Sequence, residues 1–247
     1  MGYRRDGRFF LVFLLRLPYL LIKRIMEETI RQISIWALPV LVAIVFHEVA
    51  HGWVAFRLGD PTAARMGRLT LNPLSHIDLF GTILLPLFLI IVRAPFLFGY
   101  AKPVPVNFYN LNHPKRDMVW VALAGPATNI LLALGSVLFL KLLLSVDFSP
   151  RDPFSSLLLA ILTPLALMAK NSVIINVVLA VFNAFPIPPL DGGRVVVGLL
   201  PEPHSSTVAR IEPYGFLIIL LLLMTHVLDV LMGPAIHFLL GIFDGML

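Results

Sequence analysis

The sequence predicts an all-α polytopic membrane protein. The expected architecture is a bundle of about 4–6 transmembrane helices, with a re-entrant, partly β segment after a helix that carries His-Glu-x-x-His. Three observations predict it. Hydrophobic residues make up 58% of the 247-residue chain and charged residues only 13%, whereas soluble domains carry about a quarter charged residues. Mean hydropathy is accordingly high, at +0.90. The apolar residues also gather into runs of the length needed to cross a hydrocarbon core, about 20 residues for about 30 Å. The stretches between the runs are short and dense in Pro, Asn and Gly, so residues 1–247 read as one domain with no linker. Its catalytic core would occupy roughly residues 33–200 and its re-entrant region roughly 66–107.

The elements follow in order. Arg4, Arg5 and Arg8 precede the apolar run Phe9–Ile22. That run resembles a signal peptide, but no small-x-small cleavage site follows and Arg16 interrupts it, so it reads as a retained helix, either spanning or interfacial. Ile33–Phe56 is the first clear span. Leu79–Phe98 is apolar but broken by Gly81, Pro86, Arg93 and Pro95. Met118–Ser145, Ser155–Phe185 and Pro213–Met232 complete the set of spans.

The first span ends in F-H-E-V-A-H-G-W, Phe46–Trp53. Ionisable groups inside an apolar span cost several kcal/mol each, so their presence points to function. Histidines four apart on a helix project from the same face and can reach one metal ion. Glu48 lies about 100° round from His47 and about 60° from His51 at 3.6 residues per turn. It therefore stands beside the metal position, where a base must be to take a proton from an activated water. The chain has no cysteine, so thiolate ligands are excluded and the third metal ligand must be His or carboxylate.

Parity selects that ligand. Let the His47/His51 helix end on membrane side X. If Leu79–Phe98 dips in and returns, Ser155–Phe185 also ends on side X, and the loop Asn183–Gly193 lies beside the histidines. That loop holds Asp191, the acidic residue best placed as a third ligand. A full crossing by Leu79–Phe98 would put it on the wrong side. Pro186, Pro188 and Pro189 force extended backbone before Asp191, and Gly192–Gly193 permits the turn that aims it. Arg57, Arg65, Arg68, Lys102, Lys115, Arg116, Arg194 and Arg210 would lie on side X, against Lys23, Arg24, Arg31 and Arg151 opposite. The positive-inside tendency makes side X cytoplasmic. The net charge of +5 thus bears on topology and anionic lipid. No basic stripe and no phosphate-cradling glycine loop points to nucleic acid or nucleotide.

Three motifs in this order resemble the site-2 protease family, the intramembrane zinc metalloproteases of peptidase family M50. They are His47-Glu48-x-x-His51; Gly125-Pro126-x-x-Asn129; and Asn183-x-x-Pro186-x-Pro188-x-Leu190-Asp191-Gly192. Arg68–Asp78 and Gly99–Asn107 look like the compact prokaryotic branch, without a PDZ or regulatory domain. The resemblance implies one Zn²⁺ per chain held by His47, His51 and Asp191, with Glu48 catalytic. It further implies hydrolysis of a peptide bond in or near a transmembrane segment of membrane-protein substrates, in the cell membrane.

Asn129 and Asn183 are expected to donate to the substrate backbone or to the developing oxyanion. Asn183 also reads as a helix C-cap and Gly125-Pro126 as a packing kink. Broken segments within 66–107 could offer edge backbone to an extended substrate. Two other classes compete with the enzyme: a membrane metal transporter, which has no use for Glu48, and an inactive homologue that binds client helices. No internal repeat of the transporter kind is present.

Overall fold

The computed structural model describes residues 6–94, 96, 99–146 and 153–247, and no side chains for residues 6–22, 153 and 154. Arg4, Arg5, Pro95, Phe98 and Arg151, used above, lie outside the described residues. Among the described residues there are helices and turns but no strand, and four helices are long and apolar enough to cross a membrane.

Helix α1 (Asp6–Arg57) runs unbroken through both apolar runs at its end of the chain. Residues 23–34 are exposed. From there a stripe at every fourth position is buried: Ile35, Pro39, Ala43, His47, His51 and Ala55. This is the i±4 ridge by which helices pack, and it places both histidines on the packed face.

After α1 come α2 (Thr62–Arg65), a 3₁₀ turn at Pro73–His76, a π-helical turn at Leu79–Leu84 and α3 (Leu85–Ile91). Leu79–Ile91 is helical for about 20 Å at 1.5 Å per residue, too short for a bilayer of about 30 Å. The chain then comes back to its own point of entrance. Tyr100 N–H donates to Gly81 O at 3.0 Å and Lys102 N–H to His76 O at 2.9 Å. His76 and Asp78 order this turn, His76 Nε2 against Thr70 O at 2.8 Å and Asp78 accepting from Gly81 N–H at 2.7 Å. The segment thus folds back on its own start instead of running on as one long helix.

Its expected β character is absent among the described residues, and the chemistry explains why. Pro103 and Pro105 have no N–H to give a ladder. Val104 N–H is taken by Glu48, and Arg68 occupies the carbonyls of Lys102 and Pro103. The edge proposed for an extended substrate is therefore largely engaged within the protein itself.

Helix α4 (Pro114–Leu144) is central, packed on α1, on α5 (Pro153–Asn183) and on α6 (Asp191–Leu199). Its buried positions include Gly125, Pro126, Asn129, Ala133 and Val137. Helix α5 continues through Pro164 and Lys170 without a break; Lys170 is exposed, and Asn171 is buried with its amide donating to Ile35 O at 3.3 Å. Short α7 (His204–Ala209) leads to α8 (Glu212–Met224) and α9 (Val227–Asp244).

Here one expectation is corrected. Pro213–Met232 is not one span, because the helix stops at Thr225 and His226 adopts a left-handed backbone with φ 57°. His226 pairs with Asp229 at 2.8 Å across this corner. The helix long and apolar enough to cross here is α9, and its Phe243 closes a core of Ala133, Val137, Val173 and Val177 between α4 and α5.

Candidate metal centre

His47 and His51 come from the packed face of α1, and Asp191 from the first turn of α6. Asp191 is delivered by the proline-rich loop, which lies tight against that first turn. A Cβ at Gly193 would overlap the backbone of Ile187 and Pro188, and one at Gly192 the backbone carbonyl of Ala184. The helix N-terminus favours a carboxylate there.

The three groups converge. His47 Nε2 and His51 Nε2 are 3.0 Å apart, and Asp191 Oδ2 lies 3.3 Å from the first and 3.2 Å from the second. All three residues are buried. Helix α4 forms the back wall through Gly125, where a Cβ would stand 2.6 Å from His47 Nε2 and closer still to His51 Nε2.

The proton positions follow from the far side of each ring. His51 Nδ1 lies 2.7 Å from Val121 O, which can only accept. His47 Nδ1 lies 2.6 Å from Asn129 Oδ1. The Asn129 amide nitrogen is engaged by Asn176 Oδ1 at 2.8 Å and Ala43 O at 3.2 Å, so the atom facing His47 is the oxygen. Both Nδ1 atoms therefore donate, and both Nε2 atoms present lone pairs. Asp191 Oδ2 is buried without a hydrogen-bond partner. Three acceptors within 3.3 Å call for a cation between them. Two imidazoles and one carboxylate, with a further position open, is a ligand set of catalytic zinc. The group could hold such an ion.

Glu48 lies beside this group. Val104 N–H donates to its Oε2 at 2.8 Å, so the chain returning from the re-entrant segment fixes the carboxylate. That segment is tied down at Asp60, a fully buried side chain that accepts from Asn107 N–H at 2.7 Å and Asn110 Nδ2 at 2.9 Å. Burial pushes the Asp60 carboxyl up, but hydrogen bonds from Thr62, Asn110 and Asn107 outweigh it and hold the group below the ordinary carboxylate range.

A cavity of about 410 Å³ opens over His47, Glu48, His51 and Asp191, with Asn183, Tyr100 and Val104 in its walls. A second, of about 720 Å³, adjoins it past Ile44, Leu179 and Phe182.

The two asparagines separate. Asn183 ends α5, lines the first cavity, and donates its amide to Leu179 O at 3.0 Å. Asn129 has no exposed surface and both its amide hydrogens are used. It faces His47 rather than a substrate, which corrects the expected substrate or oxyanion contact. Sequence reading missed Asn176 and Asp60; a lone amide inside an apolar span was the signal available for the first.

Converging imidazole lone pairs and a carboxylate, with a second carboxylate alongside, are the donor arrangement of a zinc peptidase, set here among helices of membrane-spanning length. Comparison with known proteins agrees. A family model described as Peptidase family M50 matches residues 158–226, which include the Asn183–Asp191 loop. "Putative zinc metalloprotease YwhC" of Bacillus subtilis (strain 168) is 36% identical over 200 residues, covering 81% of this chain and 84% of the relative. "Putative zinc metalloprotease Rip2" of Mycolicibacterium smegmatis is 29% identical over 212 residues, covering 83% and 74%. The chain belongs to peptidase family M50 and is a zinc metalloprotease. No solved structure matches it.

Proposed function

We propose that this metalloprotease hydrolyses a peptide bond in or near a transmembrane segment of membrane-protein substrates, with His47, His51 and Asp191 as its zinc ligands and Glu48 as its catalytic base. One observation carries the reading: the buried meeting of two Nε2 lone pairs with the unpartnered Asp191 Oδ2. Zinc held there would supply Lewis acidity, acidifying water and polarising the scissile carbonyl.

The chain's own residues do the rest. Glu48 takes the proton of the attacking water and returns it to the leaving amine. Val104 N–H holds one Glu48 oxygen and leaves the other for that exchange. Asn129 fixes the ring of His47. Asn183, released from Leu179 O, donates its amide to the substrate backbone or the oxyanion. A substrate helix must unwind locally, because its peptide groups are otherwise closed in i→i−4 bonds; the two adjoining cavities offer the room. His47 lies ten residues from the end of α1 at Arg57, about 15 Å along the helix. The loops on its side carry most of the basic residues, which supports a site opening toward the cytoplasm of the cell membrane.

The test is Glu48→Gln, assayed for bound zinc and for cleavage of membrane-protein fragments in liposomes. Retained zinc with cleavage reduced about 10²–10⁴-fold is expected. Unchanged cleavage refutes the role of Glu48, and zinc flux across the liposome would favour a transporter.

A further inference from the structure

We propose that Asn176, one helix behind the metal centre, is a positioning residue that sets the tautomer of His47. The inference rests on the zinc reading above and concerns what keeps the His47 Nε2 lone pair available.

An asparagine amide presents an acceptor at one end and a donor at the other, and the two ends have nearly the same shape. If Asn129 turned over, its Nδ2 would face His47 Nδ1 and demand a lone pair there. The ring hydrogen would then move to Nε2, into the middle of the His47–His51–Asp191 group, and block the ligand position. The orientation of Asn129 is therefore a condition of metal binding.

Asn176 is the closer of the two acceptors that hold that orientation, the other being the Ala43 carbonyl. It is completely buried in α5, and its Oδ1 accepts from Asn129 Nδ2 at 2.8 Å, a shorter contact than the 3.2 Å from the same nitrogen to Ala43 O. Asn176 is itself oriented by a group that cannot reverse. Its Nδ2 donates to the backbone carbonyl of Ser172 at 2.8 Å, one turn earlier on α5, and lies 3.2 Å from the Ser172 hydroxyl. The Ser172 hydroxyl is in turn 2.8 Å from that of Ser136 on α4. A backbone carbonyl only accepts, so the chain has one direction. Ser172 O fixes Asn176, Asn176 together with Ala43 O fixes Asn129, and Asn129 fixes the Nδ1 hydrogen of His47. A buried amide inside an apolar span is costly without such a task. Aligned bonds of this kind also polarise one another and raise the basicity of the ligand nitrogen.

The test compares zinc affinity, by chelator competition on the purified full chain in detergent, with thermal unfolding. Asn176→Leu removes the closer acceptor and leaves Asn129 held only by the longer contact to Ala43 O; Asn176→Ser, a smaller change, removes it by shortening the side chain. Val177→Ala is the packing control, since Val177 is equally buried on the same helix and outside the amide chain. Both Asn176 variants are expected to bind zinc about 10–100-fold more weakly. Their ¹⁵N-histidine spectra, assigned by comparison with His47→Ala, should show His47 shifting from the Nδ1–H tautomer toward Nε2–H. Val177→Ala should unfold at a lower temperature with wild-type zinc affinity and tautomer. Zinc affinity within about twofold of wild type in either folded Asn176 variant, or an equal loss in Val177→Ala, overturns the proposal. Absence of zinc from the wild type overturns instead the metal reading beneath it.

Discussion

At the scale of the residue, the centre is defined as much by atoms that are missing as by those present. Gly125 is the clearest case, because its absent Cβ is the space the two Nε2 atoms occupy. Gly125→Ala introduces an overlap of a kind that costs about 1–3 kcal/mol. Falling on the imidazoles, this is about a 5- to 150-fold loss of zinc affinity, measurable by chelator competition. Unaltered affinity would place the imidazoles elsewhere. Glu48, His47 and His51 were legible in the sequence because helical periodicity alone puts them on one face. Asn129 stood out in the sequence, but its partner did not. Its contact with His47 joins positions 82 apart, and only the packing of α4 on α1 decides that the amide meets an imidazole rather than a substrate.

At the scale of the element, the proline loop and the re-entrant segment each place one carboxylate. The loop delivers Asp191 to the histidines, and the returning chain at Val104 fixes Glu48. Gly81 and Pro86 marked Leu79–Phe98 as broken in the sequence, and the chain does double back there, Tyr100 N–H reaching Gly81 O. Its lack of strand was not legible, since Glu48 and Arg68 take the backbone groups a ladder would need, and both contacts are tertiary. The break at Thr225–His226 was invisible for another reason: no Pro or Gly marks it, and the run Pro213–Met232 is apolar enough to span. The chain has no cysteine, so single cysteines report topology directly. Met66→Cys and Tyr109→Cys flank the re-entrant segment at exposed positions. Both should react with an impermeant maleimide from one face of a sealed vesicle, and Glu28→Cys from the other. Labelling of Met66→Cys and Tyr109→Cys from opposite faces would make the segment a full crossing.

At the scale of the whole molecule, a bundle of membrane-length helices joins two halves of a site that lie far apart in sequence. Helix α4 stands between them, its Gly125 against the histidines and its length packed on both α1 and α6. The sequence carried both halves. It did not carry the amide chain through α5, whose members are ordinary polar residues until α4 and α5 are packed. The central claim is that one zinc ion is shared by both halves, and X-ray absorption at the zinc edge of the purified protein tests it most directly. The account predicts one zinc per chain, with two imidazole nitrogens at about 2.0–2.1 Å and oxygen at about 2.0–2.2 Å. Asp191→Ala should lose most of that zinc. A zinc shell with one imidazole or none, or zinc content unchanged in Asp191→Ala, would contradict it.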